Sequence, residues 1–246
     1  MREQNNMSVS GFRNEKRIVA ELDNKNFNSL SSNFQNMVLF LCPKVNHSEI
    51  INASVIGGTC KADIKITVSK KDYFVSIKKG SGNSVHQEPV NDFVNYISTK
   101  CTNYTSSIGE DIAHFIWGDG TLDGLGDPKN RLDAREYKKK HPEKLNNLIL
   151  FFSNNMQSML ARILMHGSSQ SSPAEFLYYG DDKAGVICRI SDAITFLSKS
   201  SCNSAINLGG LSTQAWNRNI KGGKSEHKRG QIQFKWGGLK NDISKI

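Results

Sequence analysis

Two short segments of this 246-residue chain carry side chains suited to cutting a phosphodiester bond. One is Lys61-Ala62-Asp63-Ile64-Lys65-Ile66, and the other is Tyr73-Phe74-Val75-Ser76-Ile77-Lys78. Each alternates polar and apolar residues at the period of a half-buried strand. Side chains two apart share a face, so Ser76 and Lys78 point the same way, and a hairpin between the segments sets Asp63 opposite them. A carboxylate and an ammonium then meet at one end of a sheet. Phosphodiester hydrolysis calls for a metal that polarises the phosphoryl oxygen and lowers the pKa of an attacking water. Magnesium takes oxygen ligands, often one or two carboxylates plus the substrate phosphate. Asp63 is the natural ligand, while Lys78 suits orienting the water and offsetting the developing negative charge. Serine is a poor metal ligand, so Ser76 leaves room for another carboxylate, and Glu15 or Glu88 could supply it.

The elements that must position these groups are legible in the hydrophobic pattern. Gly11 to about Phe34 reads as an amphipathic helix on Phe12, Ile18, Val19 and Leu22. Ile50–Ile56 reads as a strand closed by Gly57-Gly58, and the hairpin follows it. Lys79 to Glu88 is polar and contains glycine, which predicts a loop. A helix begins near Pro89 with Val90, Phe93, Val94 and Ile97 on its apolar face. A second covers Ile108–Trp117, and the Gly- and Asp-rich stretch from Gly118 to Asn130 is a loop. Pro142–His166 is the longest helical candidate, its methionines serving as core, with His166-Gly167 as its stop. Strand-like pieces follow at Gly185–Ile190, Ala205–Leu208, Leu211–Asn219 and Gln231–Trp236, with one helix from about Ser191. The pattern predicts one mixed α/β domain over 1–246 with a β-rich, basic C-terminal part.

Composition narrows the chemistry. The formal net charge is +9, which favours a polyanionic partner. Residues 216–246 hold eight Lys or Arg against two acids, so most of the excess sits there. Trp216, Phe234 and Trp236 argue that this segment is folded rather than a solvated tail. No apolar run approaches the roughly 20 residues that span a bilayer, and the polar start lacks the apolar core of a signal peptide. Five cysteines without a C-x-x-C pair point to free thiols in a reducing cytoplasm. Gly222-Gly223-Lys224-Ser225 resembles the end of a phosphate-binding loop, but Arg218 stands where the motif needs glycine. The spacing of Gly118, Gly120 and Gly124 does not fit a dinucleotide fingerprint. The six histidines show no zinc-ligand spacing, and no G-x-S-x-G elbow is present.

On the segments Gly11-Phe12-Arg13-Asn14-Glu15-Lys16, Lys61-Ala62-Asp63-Ile64, Ser76-Ile77-Lys78, Ile220-Lys221-Gly222-Gly223-Lys224 and Gln231-Ile232-Gln233-Phe234-Lys235, the chain resembles a known family. It is similar to the small type II restriction endonucleases of the PD-(D/E)XK fold, especially those cutting four-base-pair sites such as GCGC, and more distantly those of the MspI type. The likeness spans nearly the whole chain in consistent order. It implies an α/β fold with a mixed central sheet flanked by helices, a catalytic core over about 11–120, and helical and DNA-binding elaborations over about 130–246. It implies Mg²⁺-dependent cleavage of double-stranded DNA at a short site, leaving 5′-phosphate and 3′-hydroxyl ends. Asp63 would bind metal, Lys78 would position the nucleophile, and Ser76 departs from the family's acidic second position. Glu15 would be the supporting carboxylate, with Glu88 as runner-up.

The same likeness brings Gly80 to Gln87 to the DNA. Asn83 and Gln87 suit base edges because amides donate and accept together. Lys79, Ser81 and His86 would lie along that loop, the lysine and histidine as phosphate contacts. In the C-terminal segment Arg218, Lys221, Lys224, Lys228, Arg229 and Lys235 are candidate DNA contacts, most of them to phosphate. Pro173-Ala174-Glu175-Phe176 also fits the likeness, with no role assigned to Glu175. A bacterial cytoplasmic enzyme with a cognate DNA methyltransferase as functional partner follows, acting as a monomer or weak homodimer. A repair, resolvase or nicking nuclease of the same fold is the alternative enzyme. A DNA-binding protein with an inactive nuclease site is the alternative outside catalysis.

Overall fold

The first helix, α1 (Arg2–Leu22), buries Ile18 and Leu22 completely and stops where Asn24 turns left-handed (φ 53°). The expected helix to Phe34 is therefore broken in two. Asp23 leaves the helix and its Oδ1 accepts from the Ala53 amide at 2.9 Å. A short strand, β1 (Lys25–Asn26), and a turn of 3-10 helix lead to α2 (Ser32–Leu41), capped by Ser31. An Asn in the left-handed conformation is a common helix terminator, and here it outweighs the apolar periodicity. The computed structural model describes residues 2–80, 83–169, 172–200 and 206–246, with side chains from residue 11.

Contacts divide the chain into two units that interleave along the sequence: residues 1–83, 164–193 and 238–246 form one, residues 84–163 and 194–237 the other. The first unit contains β2 (Ile50–Val55), β3 (Ile64–Val68) and β4 (Lys71–Lys78). Ser69 and Lys70 link β3 to β4 with both residues left-handed (φ 49° and 66°). A two-residue turn of that kind matches the twist of antiparallel strands. The expected hairpin forms on it, with Ile64 opposite Val75 and Val68 opposite Lys71. The sheet is completed by two later strands, β6 (Phe176–Gly180) and β7 (Gly185–Arg189). Its order is β1-β2-β3-β4-β6-β7, antiparallel throughout except that β6 runs parallel to β4. Ile64, Ile66, Val68, Tyr73, Val75 and Ile77 join Phe34, Met37 and Val38 of α2 in one buried core. A short helix, α9 (Leu239–Ile243), also belongs to this unit.

The strand β6 has no counterpart in the sequence reading. Phe176, Leu177 and Tyr178 are all buried, so the run does not alternate. A strand covered on both faces reads as a continuous apolar stretch, and this one pairs with a strand a hundred residues earlier.

The second unit is built on β5 (Ser84–Pro89), β8 (Asn207–Leu208), β9 (Leu211–Ala215) and β10 (Gln231–Lys235), antiparallel in the order β5-β10-β9-β8. Of the strand expected at Ala205–Leu208, Ala205 lies outside the described residues. Segment Ser84–Glu88 is thus a strand, not the expected loop. Helices α3 (Val90–Lys100), α4 (Ser106–Trp117), α5 (Ala134–Lys140), α6 (Pro142–Asn154) and α7 (Met156–Ala161) fill out this unit. One more helix, α8 (Ile190–Ser198), starts as expected beside Ser191. The expected helix from Pro142 to His166 is interrupted at Asn155. Its buried carboxamide accepts from the Thr102 amide at 2.8 Å and donates to the Thr102 and Phe151 carbonyls at 3.0 Å each. Phe234 and Trp236 are fully buried, so the C-terminal basic segment is folded as its aromatics predicted.

Candidate active site

Asp63 stands one residue before β3, its amide bonded to the Val75 carbonyl at 3.0 Å. That register turns its side chain toward Ser76 and Lys78. Three donors converge on one oxygen: Asp63 Oδ2 accepts from Ser76 Oγ at 3.0 Å, from the Ile77 amide at 2.6 Å and from Lys78 Nζ at 3.3 Å. Lys78 Nζ also donates to the Ile77 carbonyl at 3.0 Å. The Asp63 and Lys78 side chains are 22% and 23% exposed, while Ser76 is buried. The pair therefore opens to solvent from a fixed base. No donor among the described residues reaches Asp63 Oδ1, which remains available to a ligand.

Glu15 of α1 completes the cluster. Burial pushes its carboxyl up to about 6, the nearby Asp63 charge adds to the rise, and Lys78 opposes it. Two carboxylates in a half-buried site repel one another, and a divalent cation relieves such repulsion. The donor set of Asp63 and Glu15 is all oxygen, the chemistry that magnesium prefers. Ser76 serves differently. Its hydroxyl donates to Asp63 and helps fix the orientation of that carboxylate.

Glu88 does not fit the metal role considered for it. It lies in the second unit, on β5, with its side chain 1% exposed. Its Oε1 is 2.8 Å from His86 Nε2, and its Oε2 accepts from Arg162 at 2.6 Å. Both oxygens are engaged inside the core; burial raises the carboxyl, but the bonds and charges of His86 and Arg162 outweigh it and hold the carboxyl below its usual range. Its partner His86, expected on phosphate, is 9% exposed and committed to Glu88.

The basic candidates divide in the same way. Arg218 is buried with its guanidinium 4.6 Å over the Phe115 ring and donates to the Phe115 carbonyl. Burial lowers it to about 10. Arg229 is buried against Trp117 and pairs with Asp119 at 2.8 Å. Both are structural, which corrects their assignment as DNA contacts. Lys221 and Lys224 are exposed, and Lys228 lies 5.7 Å over the Trp216 ring. Lys79 is half-exposed and bridges Asp181 at 3.0 Å. Asn83 is left-handed (φ 48°) and partly buried. Ser81 lies outside the described residues.

A polar feature of the second sheet escaped the sequence reading. Gln233 of β10 sits opposite Gln87 of β5 and Gln214 of β9. Gln214 Nε2 donates to Gln233 Oε1 at 2.8 Å, and Gln233 Nε2 donates to Ser84 Oγ at 3.1 Å and Gln87 Oε1 at 3.4 Å. Alternation puts Gln231 and Lys235 on the Gln233 face. The signal was the period-two run Gln231-x-Gln233-x-Lys235 in a strand the sequence already predicted.

No protein-family model and no curated protein matches the chain. Among solved structures its fold is similar to that of the restriction endonuclease MspI, determined in complex with its cognate DNA. The two chains are 16% identical, and the match covers 96% of this chain and 93% of MspI with a TM-score of 0.58. The fold expected from the sequence is the fold observed: a mixed central sheet flanked by helices, of the PD-(D/E)XK kind.

Proposed function

We propose that this chain is a metal-dependent endonuclease that hydrolyses duplex DNA at a short specific sequence, in the manner of type II restriction enzymes. The observation that carries this reading is the convergence of Ser76, Ile77 and Lys78 on Asp63 Oδ2, with Oδ1 and the Glu15 carboxylate left to ligands. The likeness in fold to an enzyme solved on its cognate DNA supports it. Asp63 and Glu15 would hold Mg²⁺, which when bound polarises the phosphoryl oxygen and acidifies a water.

The chain's own groups do the rest. Three donors fix the Asp63 carboxylate, so it needs no reorganisation when the substrate arrives. Lys78 holds a positive charge beside the scissile phosphate and orients the attacking water. Water oxygen bonds to phosphorus, the bond to the 3′ oxygen breaks, and that oxygen takes up a proton while the water loses one. The products are a 5′-phosphate and a 3′-hydroxyl. The amides of Gln87, Gln231 and Gln214 suit base edges because each donates and accepts, and Lys221, Lys224, Lys228 and Lys235 suit phosphate or guanine. A four-base-pair site such as GCGC, and a methyltransferase protecting it in the host, complete the proposal.

Incubation with plasmid DNA and Mg²⁺ tests it. Discrete fragments with uniform ends are expected, and Asp63→Asn should abolish them while DNA is still bound. Structure-dependent nicks would replace this reading with a repair-type nuclease, and binding without cutting by the wild type would remove catalysis altogether.

A further inference from the structure

A second site lies in the first unit, at the hairpin end of β4. A cavity of about 630 Å³ opens there between the end of α2 and the strands β4, β6 and β7. Ligand sites commonly fall between 300 and 1,000 Å³. Lys44, Lys71 and Arg189 reach into its wall, and one acid, Glu175, faces them. Among the described residues no carboxylate comes within ion-pair distance of these three cations, Glu175 included. Aromatic rings hold two of them instead: Lys71 Nζ is 5.0 Å above Tyr73, and the Arg189 guanidinium is 5.4 Å from Phe176 and 5.8 Å from Phe40. A cation resting on a ring is positioned without using its N–H donors on an acid. Those donors remain for an external anion. Leu41, Pro43 and Met165 supply an apolar wall beside them. Glu175 Oε2 is lightly held by the Phe74 amide at 3.4 Å and can accept from a ligand N–H or O–H.

We propose that this cavity binds a phosphate ester of nucleotide size. Its phosphate would lie against Lys44, Lys71 and Arg189, its ring would lie against the apolar wall, and a donor on it would meet Glu175. This gives Glu175 the role that the sequence left blank. The site is separate from the chemistry of Asp63, because Lys71 and Lys78 lie at opposite ends of an eight-residue strand, roughly 23 Å apart at about 3.3 Å per residue.

The phosphate could come from a free nucleotide or from a nucleic-acid strand, and calorimetry on the full chain separates them. The probes are AMP, inorganic phosphate and a 12-base-pair duplex, each with the wild type, Arg189→Ala and the double variant Lys44→Ala/Lys71→Ala. Lys44 and Lys71 are exposed, so the double variant should keep the wild-type melting temperature. AMP should bind at least tenfold more tightly than inorganic phosphate, and both variants should lose at least tenfold in AMP affinity. Parallel loss of duplex binding would name nucleic acid as the source, and unchanged duplex binding would name a free nucleotide. Absence of AMP binding to the wild type, AMP binding no tighter than phosphate, or AMP binding unaffected by either variant overturns the proposal. None of these readouts depends on whether the chain cuts DNA.

Discussion

At the scale of single residues, the site is organised around one carboxylate oxygen. Asp63→Asn preserves shape but removes the charge, so cleavage should fall by about a hundredfold or more, comparable with loss of a key electrostatic group. The fold should survive, as a melting curve will show. Ser76→Ala removes one of three donors to Asp63. It should cost about 1 kcal/mol in stability and slow cleavage by roughly 10- to 100-fold, the usual effect of losing a group that orients a metal ligand. Glu15 gives the pH dependence. Its folded-state value near 6 lies above its ordinary 4.5, so the acid form is favoured by the fold. Its contribution to stability of the metal-free protein is complete below about 4.5 and is lost as pH rises through 6. If Glu15 holds Mg²⁺ as proposed, metal and proton would compete for this carboxylate, and Mg²⁺ affinity should weaken below pH 6. Calorimetry in buffers of different ionisation enthalpy should find proton release near pH 5.5 that Glu15→Gln abolishes.

At the scale of elements, the sequence was most readable where contacts are local. The hairpin carrying Asp63, Ser76 and Lys78 follows from alternation, and its turn is set by two residues that are not ideal for it. Ser69 and Lys70 both hold positive φ, at a cost of about 1–2 kcal/mol for an ordinary residue. Replacing them with Asn-Gly should therefore raise stability by about 1 kcal/mol, measured as the urea midpoint, without changing cleavage. The helix breaks were hidden for a different reason. Asn24 and Asn155 interrupt apolar patterns that continue on either side, and Asn155 does so through bonds to Thr102, far away in sequence. Segment Ser84–Glu88 looked like a loop because it is polar. It is a strand because its backbone pairs with β10, and Arg162 and His86 satisfy Glu88 within the fold. Glu88→Ala should cost about 3–5 kcal/mol in urea unfolding, as expected when one partner of a buried ion pair is removed.

At the scale of the molecule, the net charge of +9 separates into cations that build the fold and cations that face outward. No helix of the described residues is long and apolar enough to cross a membrane. Arg229 and Arg218 belong to the interior, Lys221 and Lys224 to the surface. DNA affinity should fall linearly with the logarithm of salt concentration, and each of Lys221→Ala and Lys224→Ala should reduce that slope by about 0.9. Arg229→Ala should instead unfold the protein by about 3–5 kcal/mol, because Asp119 is left as an unpaired buried charge. A salt titration of binding beside a urea melt tells the two classes apart.

Residue types and their spacing determined the hairpin that carries Asp63, Ser76 and Lys78, the excess of basic charge and the mixed α/β class. Strand alternation and charge are written in local order, so they survive without coordinates. Tertiary structure alone decided that Glu15 lies near Asp63, that Glu88 is engaged by His86 and Arg162, that β6 lies beside β4, and that Arg218 and Arg229 are core. Those outcomes depend on which side chains burial brings together across a hundred residues of chain. A carboxylate or guanidinium has the same sequence letter whether it faces water, a metal or a buried partner, and only the fold supplies the neighbour that sets its role.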